Sequence, residues 1–300
     1  MPQDARSIVS CCAMIHCIIF HLTQHETLCM MVISTKEQTT MSANTNVSSS
    51  DKKKTILIVA ANPAVGPLTG WPIGFWLAEL THPYATFTEA GYDVEIRSPE
   101  GGTLQADSYS DPEDDSGYSV HDLLSLGFKK SPSHATLLDN TASIADVNVA
   151  DYDAILLAGG QSPMVTFINN HALHALVAAF YEAGKPTALL CHGTCVLLKA
   201  KLSTGELLVT SKTWTGFSNE EEKEVEKFVG QKVQPFWIET EARALPDTTF
   251  VVAPLWEAFA VRDGNLITGQ QQTSGRVAAE LVIEALSGVP SPAPRTRAGV

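Results

Sequence analysis

The sequence predicts an α/β fold, a doubly wound, mostly parallel sheet sandwiched by helices. Three observations carry that prediction. Five short apolar runs recur between residues 55 and 254, most of them closed by small or turn-forming residues. The runs are continuous rather than alternating, as strands buried on both faces are. Helical stretches separate them, and strand–helix–strand alternation builds a parallel sheet. Ligands of such sheets bind beyond the carboxyl ends of the strands.

The elements follow in chain order. Residues 1–54 precede the first strand and read as a dispensable or disordered extension. Their apolar run, 8–20, has 13 residues, short of the roughly 20 that a bilayer span needs. Asp4 offsets Arg6 and no A-x-A site follows, so a secretory signal does not fit. Residues 41–54, "MSANTNVSSSDKKK", are polar and low in complexity. "TILIVAA" (55–61) is the first strand. "PIGFWLAELTHPYATFTEAG" reads as a helix from Pro72 to Gly91, with proline early and glycine late. "YDVEIRSP" (92–99) is the second strand. Residues 100–148, with "DPEDDSGYS", lack apolar periodicity and read as a cap inserted over the sheet.

"YDAILLAGG" (152–160) is the third strand. In the helix after it, Leu173, Leu176, Val177 and Phe180 form one face, and Gly184 is the stop. "TALLC" (187–191) and "FVVAP" (250–254) are the fourth and fifth strands. In "FAVRDGNLITG" (259–269), Asp263-Gly264 between apolar runs signals a hairpin. "SGRVAAELVIEALSG" is the closing helix, and "PSPAPRTRAGV" (290–300) reads as a loose tail. The folded part is therefore one α/β domain over 55–288.

The net charge of −13 and the absence of a basic patch argue against a nucleic-acid partner. Only Cys191 and Cys195 of the six cysteines lie in the predicted domain, which suits a reducing, cytoplasmic setting rather than a disulfide framework. No segment calls for a membrane.

The chemistry concentrates in "ALLCHGTCVLL" (188–198). A strand that ends in a nucleophile and turns sharply into a helix is a nucleophile elbow. The helix N-terminus then favours thiolate over thiol at Cys191, and Gly193 removes a side chain where the backbone bends. The competing reading is a buried cysteine acting as a small hydrophobe. No histidine follows His192, so the order of a class I glutaminase or an α/β-hydrolase is excluded. His192 is the expected imidazole partner, with His82 and His121 as alternatives. His171 and His174 read as an exposed helical face. Cys191 and Cys195 lack further ligands for zinc, so no metal site is expected. No G-x-G-x-x-G or Walker motif supports nucleotide binding.

"LLAGG", "ALLCHG", "WTGFSNEEE" and "RDGNLITGQ", in this order and after "FWLAELTHPYATFTEAGYDVEIRSPEGG", resemble the ThiJ/PfpI (DJ-one) superfamily. The branch they are most similar to is that of the glyoxalase III enzymes and HchA-type chaperones. The resemblance implies a flavodoxin-like, class I glutamine amidotransferase-like fold. It also implies an acid on the first helix, here Glu79, facing Cys191. The apolar neighbours Trp76, Leu77, Ala78 and Leu80 would keep that carboxyl protonated. The resemblance implies a second acid supporting His192, matched by Glu222. Ser218-x-x-Glu221 is a capping box, which leaves Glu221 as the alternative. Gly159, Gly160, Gln161 and Gly193 fall at the expected substrate site, with the amides of Gly160 and His192 as oxyanion donors.

The implied activity is a cofactor-independent conversion of a small 2-oxoaldehyde such as methylglyoxal to lactate, in carbonyl-stress defence. Rival readings are a holdase chaperone, a Cys-dependent amidase or peptidase, and a redox sensor at Cys191. A homodimer is also consistent with the resemblance. Three departures line the expected pocket: Gln161 where that branch commonly has histidine, "CHGTC", and "GQQQTSG".

Overall fold

The structure, a computed structural model, describes residues 53–291 and the backbone of 295–297. The apolar run 8–20 and the polar stretch up to residue 52 lie outside the described residues. Eight strands form the main sheet: β1 (Thr55–Val59), β2 (Asp93–Ser98), β3 (Ala142–Ser143), β4 (Ala154–Leu157), β5 (Thr187–Leu190), β6 (Ala258–Asp263), β7 (Leu266–Gly269) and β8 (Arg295–Arg297). Their order is β8-β6-β7-β5-β4-β1-β2-β3. From β7 to β3 every pairing is parallel, whereas β6 runs antiparallel to both β7 and β8. The hairpin expected at Asp263-Gly264 is β6–β7, with Gly264 at φ 66°. β8 comes from the segment read as a loose tail.

The chain leaves β1 in one direction to reach β2 and returns on the other side of β1 as β4. That reversal is the switch point at which open α/β sheets bind ligands. Residues of β1 alternate between two cores. Leu57 and Val59 join Phe167, Phe180 and Trp214 on one face, and Ile56 and Ile58 join Leu80, Phe87 and Leu281 on the other. Among the described residues six α-helices of seven or more residues cover the faces: α1 (Leu77–Glu89), α2 (Leu123–Lys130), α3 (His171–Glu182), α4 (Asn219–Val229), α5 (Ile238–Ala244) and α6 (Gly275–Leu286). α2 lies in the 100–148 stretch and packs on α1, with Phe128 edge-on to Tyr84 at 5.4 Å. Among the described residues no helix is long and apolar enough to cross a membrane.

Three local expectations are corrected. α1 begins at Leu77, not Pro72, because Pro72–Ile73 pair with Ala64–Val65 in a short ladder. Gly74 there lies so close under Gln105 that an added Cβ would sit 1.7 Å from the Gln105 carbonyl oxygen. "FVVAP" is not a main-sheet strand. The edge of β5 is taken by β7, so only Thr249–Phe250 pairs, with Thr213–Trp214, in a separate ladder. His174 is buried rather than exposed, because its Nε2 bonds the Phe167 carbonyl at 2.8 Å.

Candidate active site

Cys191 is the first residue after β5. It opens a 3₁₀ helix, Cys191–Leu198, at φ 52°. A non-glycine residue held there is strained, and such strain collects at functional sites. The Thr194 hydroxyl donates to the Cys191 carbonyl at 2.6 Å and fixes the turn. Gly193 lets this turn close on β4, since a Cβ there would lie 3.0 Å from the Ala158 carbonyl oxygen. The elbow expected from the sequence is present.

His192 lies directly beside the thiol, with Nδ1 3.4 Å from Cys191 Sγ. Its Nε2 is 2.9 Å from Glu222 Oε1, and its ring stacks on Phe217 at 4.2 Å. Cys191, His192 and Glu222 thus form a continuous chain of contacts. Glu221 is excluded as the histidine partner. It closes the Ser218 capping box and accepts from Gln270 Nε2 at 2.9 Å. His82 bonds Asp122 at 2.9 Å on the rim of a broad groove, and His121 is exposed on the same groove. Neither is paired with Cys191.

Glu79 is fully buried in the first turn of α1. Its Oε2 accepts from the Gly159 amide at 2.7 Å, while Oε1 meets no donor at hydrogen-bond distance. A Cβ on Gly159 would lie 2.7 Å from Glu79 Oε2 and 2.9 Å from Cys191 Cβ. Carboxyl and thiol therefore flank the space that glycine leaves empty. Gly160, at φ 105°, is equally required, because a Cβ would sit 2.3 Å from the Trp76 nitrogen. Its amide donates to no acceptor among the described residues. Replacing Gly159 by alanine is expected to destabilise the fold by about 1–3 kcal/mol, as overpacking does. Chemical denaturation measures that loss, and unchanged stability would mean that Glu79 and Cys191 are not held this close.

Burial pushes the Glu79 carboxyl up to about 7, against the pull of the nearby Cys191 side chain and of the Gly159 amide. Burial, followed by the charge of the neighbouring Glu79 carboxyl, pushes the Cys191 thiol well up, and the His192 amide offsets only part of this. Burial would lower His192, but the charge and hydrogen bond of Glu222 outweigh it and raise the imidazole. These directions run against the pull of the helix N-terminus, which favours a thiolate at Cys191. Cys191 is only 3% exposed, and burial works against a charged sulfur.

Asp107 is a site residue that the sequence did not reveal. It is 2% exposed, and its two oxygens accept from the amides of Gly74 at 2.8 Å and Gln161 at 2.7 Å. One carboxylate thereby ties the segment leading into α1 to the loop after β4. Burial pushes Asp107 up to about 6. Only its carboxylate marks it, in an irregular stretch where no periodicity singles out a residue.

A cavity of about 50 Å³ opens over Cys191, His192, Gly160 and Gln161, walled by Phe217, Trp76, Tyr118 and Trp256. One water needs roughly 10–15 Å³ on this measure, so the cavity by itself admits a few heavy atoms. Trp256, like Cys191, has a positive φ, 61°. Among the described residues no cluster of three or more His, Cys, Asp or Glu could hold a metal. Cys195 is sealed in the core, its thiol on the Pro163 carbonyl at 3.4 Å.

The profile of the DJ-1/PfpI family matches residues 73–285. A probable glutathione-independent glyoxalase of Schizosaccharomyces pombe is 26% identical, over 77% of this chain and 97% of that protein. Glyoxalase 3 of Candida albicans is also 26% identical, over 72% of this chain and 91% of its own length. The crystal structure of the 24 kDa rapid encystment protein of Francisella tularensis superposes with a TM-score of 0.70. It is 30% identical and covers 78% of this chain and 99% of that one.

Proposed function

The chain belongs to the DJ-1/PfpI family, and we propose that it is a glutathione-independent glyoxalase that converts methylglyoxal or a similar 2-oxoaldehyde to the hydroxy acid. The reading rests above all on the buried Glu79 carboxyl and Cys191 thiol flanking Gly159. Names carried by the relatives support it.

The sulfur of Cys191 adds to the aldehyde carbon. Its proton ends on the former carbonyl oxygen, and a hemithioacetal forms. The Glu79 carboxylate then takes the hydrogen from that carbon, an enediol forms, and the proton returns to the adjacent carbon. The first carbon is oxidised to a thioester as the second is reduced to an alcohol, so no outside oxidant is consumed. His192, paired with Glu222, activates water to hydrolyse the thioester, which releases lactate and restores the thiol. A carboxyl near pKa 7 suits both halves of the proton transfer at neutral pH. The amides of Gly160 and His192 receive the developing oxyanion.

The test is lactate formation from methylglyoxal with no glutathione present. No lactate from the folded protein would sink the reading. Replacing Glu222 by glutamine removes the charge that raises His192. A drop in kcat of about 10²-fold or more is expected, with the pH profile moved to lower pH. An unchanged profile would remove Glu222 from the relay.

A further inference from the structure

The cavity over Cys191 is not the whole of the open space. A second chamber of about 220 Å³ adjoins it, and Trp76, Tyr118, Gln161, Val225, Val233 and Trp256 line both. The outer chamber adds Tyr109, Phe228 and Val229 as further apolar walls and Glu224 as its one charged residue. Phe228, 65% exposed, closes the outer side edge-on to Tyr109 at 5.8 Å and beside Tyr118 at 6.0 Å.

The geometry points to the outer chamber as a subsite for an uncharged apolar substituent, aryl or branched alkyl, carried by the 2-oxoaldehyde whose carbonyl reacts at Cys191. This rests on the glyoxalase reading above. Size and charge both argue for it. An apolar cavity of about 150 Å³ holds a benzene ring. The outer chamber can therefore take a ring, while the inner cavity of about 50 Å³ takes little beyond the two carbonyls. Among the described residues no lysine or arginine lines either chamber, and the one imidazole, His192, is paired with Glu222. A substituent bearing a carboxylate or phosphate would meet Glu224 and apolar walls with no cation to offset its desolvation. An apolar one exchanges water for aromatic surface, and a hydrophobic pocket discriminates by about tenfold or more per added group.

The experiment compares kcat/KM for methylglyoxal, phenylglyoxal and para-carboxyphenylglyoxal. Phenylglyoxal is expected to show a KM about tenfold or more below that of methylglyoxal. The carboxylated analogue should lose at least that advantage. Phe228→Ala opens the chamber and Val229→Phe fills it, both from α4. Each is expected to lower the phenylglyoxal-to-methylglyoxal ratio of kcat/KM by about fivefold. A folding defect would depress both rates together and leave the ratio alone. If methylglyoxal is turned over while both variants keep the wild-type ratio, or the carboxylated analogue matches phenylglyoxal, the subsite is wrong and the glyoxalase reading stands. If the wild-type protein turns over none of the three aldehydes, the glyoxalase reading fails and takes the subsite with it.

Discussion

Cys191→Ala is expected to abolish lactate formation, lowering kcat by at least about 10³-fold, the scale on which removal of a covalent nucleophile acts. Alanine fits the site, because the elbow is built by the backbone turn, the Thr194 hydroxyl at 2.6 Å from the Cys191 carbonyl, and Gly193 against Ala158. It must still occupy φ 52°, so the strain remains while the chemistry goes. The fold should be retained, with a near-wild-type denaturation midpoint, and the lost rate is then chemical rather than structural. Lactate produced by this variant at the wild-type rate would remove the sulfur from the reaction.

Glu79→Gln carries the second large effect, and it acts in two directions. The amide oxygen can still accept from the Gly159 amide, but the side chain can no longer take or return a proton. A loss in kcat of about 10²–10⁴-fold is expected, the range for general acid–base groups. Stability should move the other way. The folded-state carboxyl titrates near 7 and the unfolded one near 4.5. Between these values the folded chain holds a proton that the unfolded chain has released. The stability that Glu79 contributes is therefore fully present below pH 4.5 and is lost as pH rises through about 7. That loss is of order 3 kcal/mol by the pH-to-energy conversion. Glutamine does not titrate, so at pH 8 the variant should melt higher than the wild type by about 5–10 °C. The gap should narrow as pH falls toward 4.5. A variant equally stable and equally active at every pH would mean that Glu79 is an ordinary surface glutamate. A gain of stability at the expense of rate is the usual trade where an active site holds a buried acid for its chemistry.

Cys191, His192, Gly159 and Gly160 were legible because parallel strands end where their apolar runs end, and the site of such a sheet gathers at those ends. Glu79 was legible from its apolar neighbours together with the family resemblance. Glu222 was not separable from Glu221 by sequence, since both lie in the same first turn. The capping box commits Glu221 to Ser218, and the next position on the helix then carries Glu222 to His192. Asp107 was hidden for a different reason. Its partners are two backbone amides contributed by remote loops, and backbone amides leave no mark in a sequence. "FVVAP" misled because an apolar run has no register until its neighbours are known, and β7 had already taken the edge of β5. At the sulfur the sequence showed the helix N-terminus, but not the burial and the neighbouring acid that push the thiol the other way.

The division of labour between thiol and carboxyl is the central claim, and mass spectrometry of Glu79→Gln mixed with methylglyoxal, with no glutathione present, tests it most directly. The expected result is a reversible mass increase of one methylglyoxal on the peptide carrying Cys191, with almost no lactate in solution. Free Cys191 together with wild-type lactate formation by the same sample would contradict it, because the reaction would then proceed without either the adduct or the proton carrier.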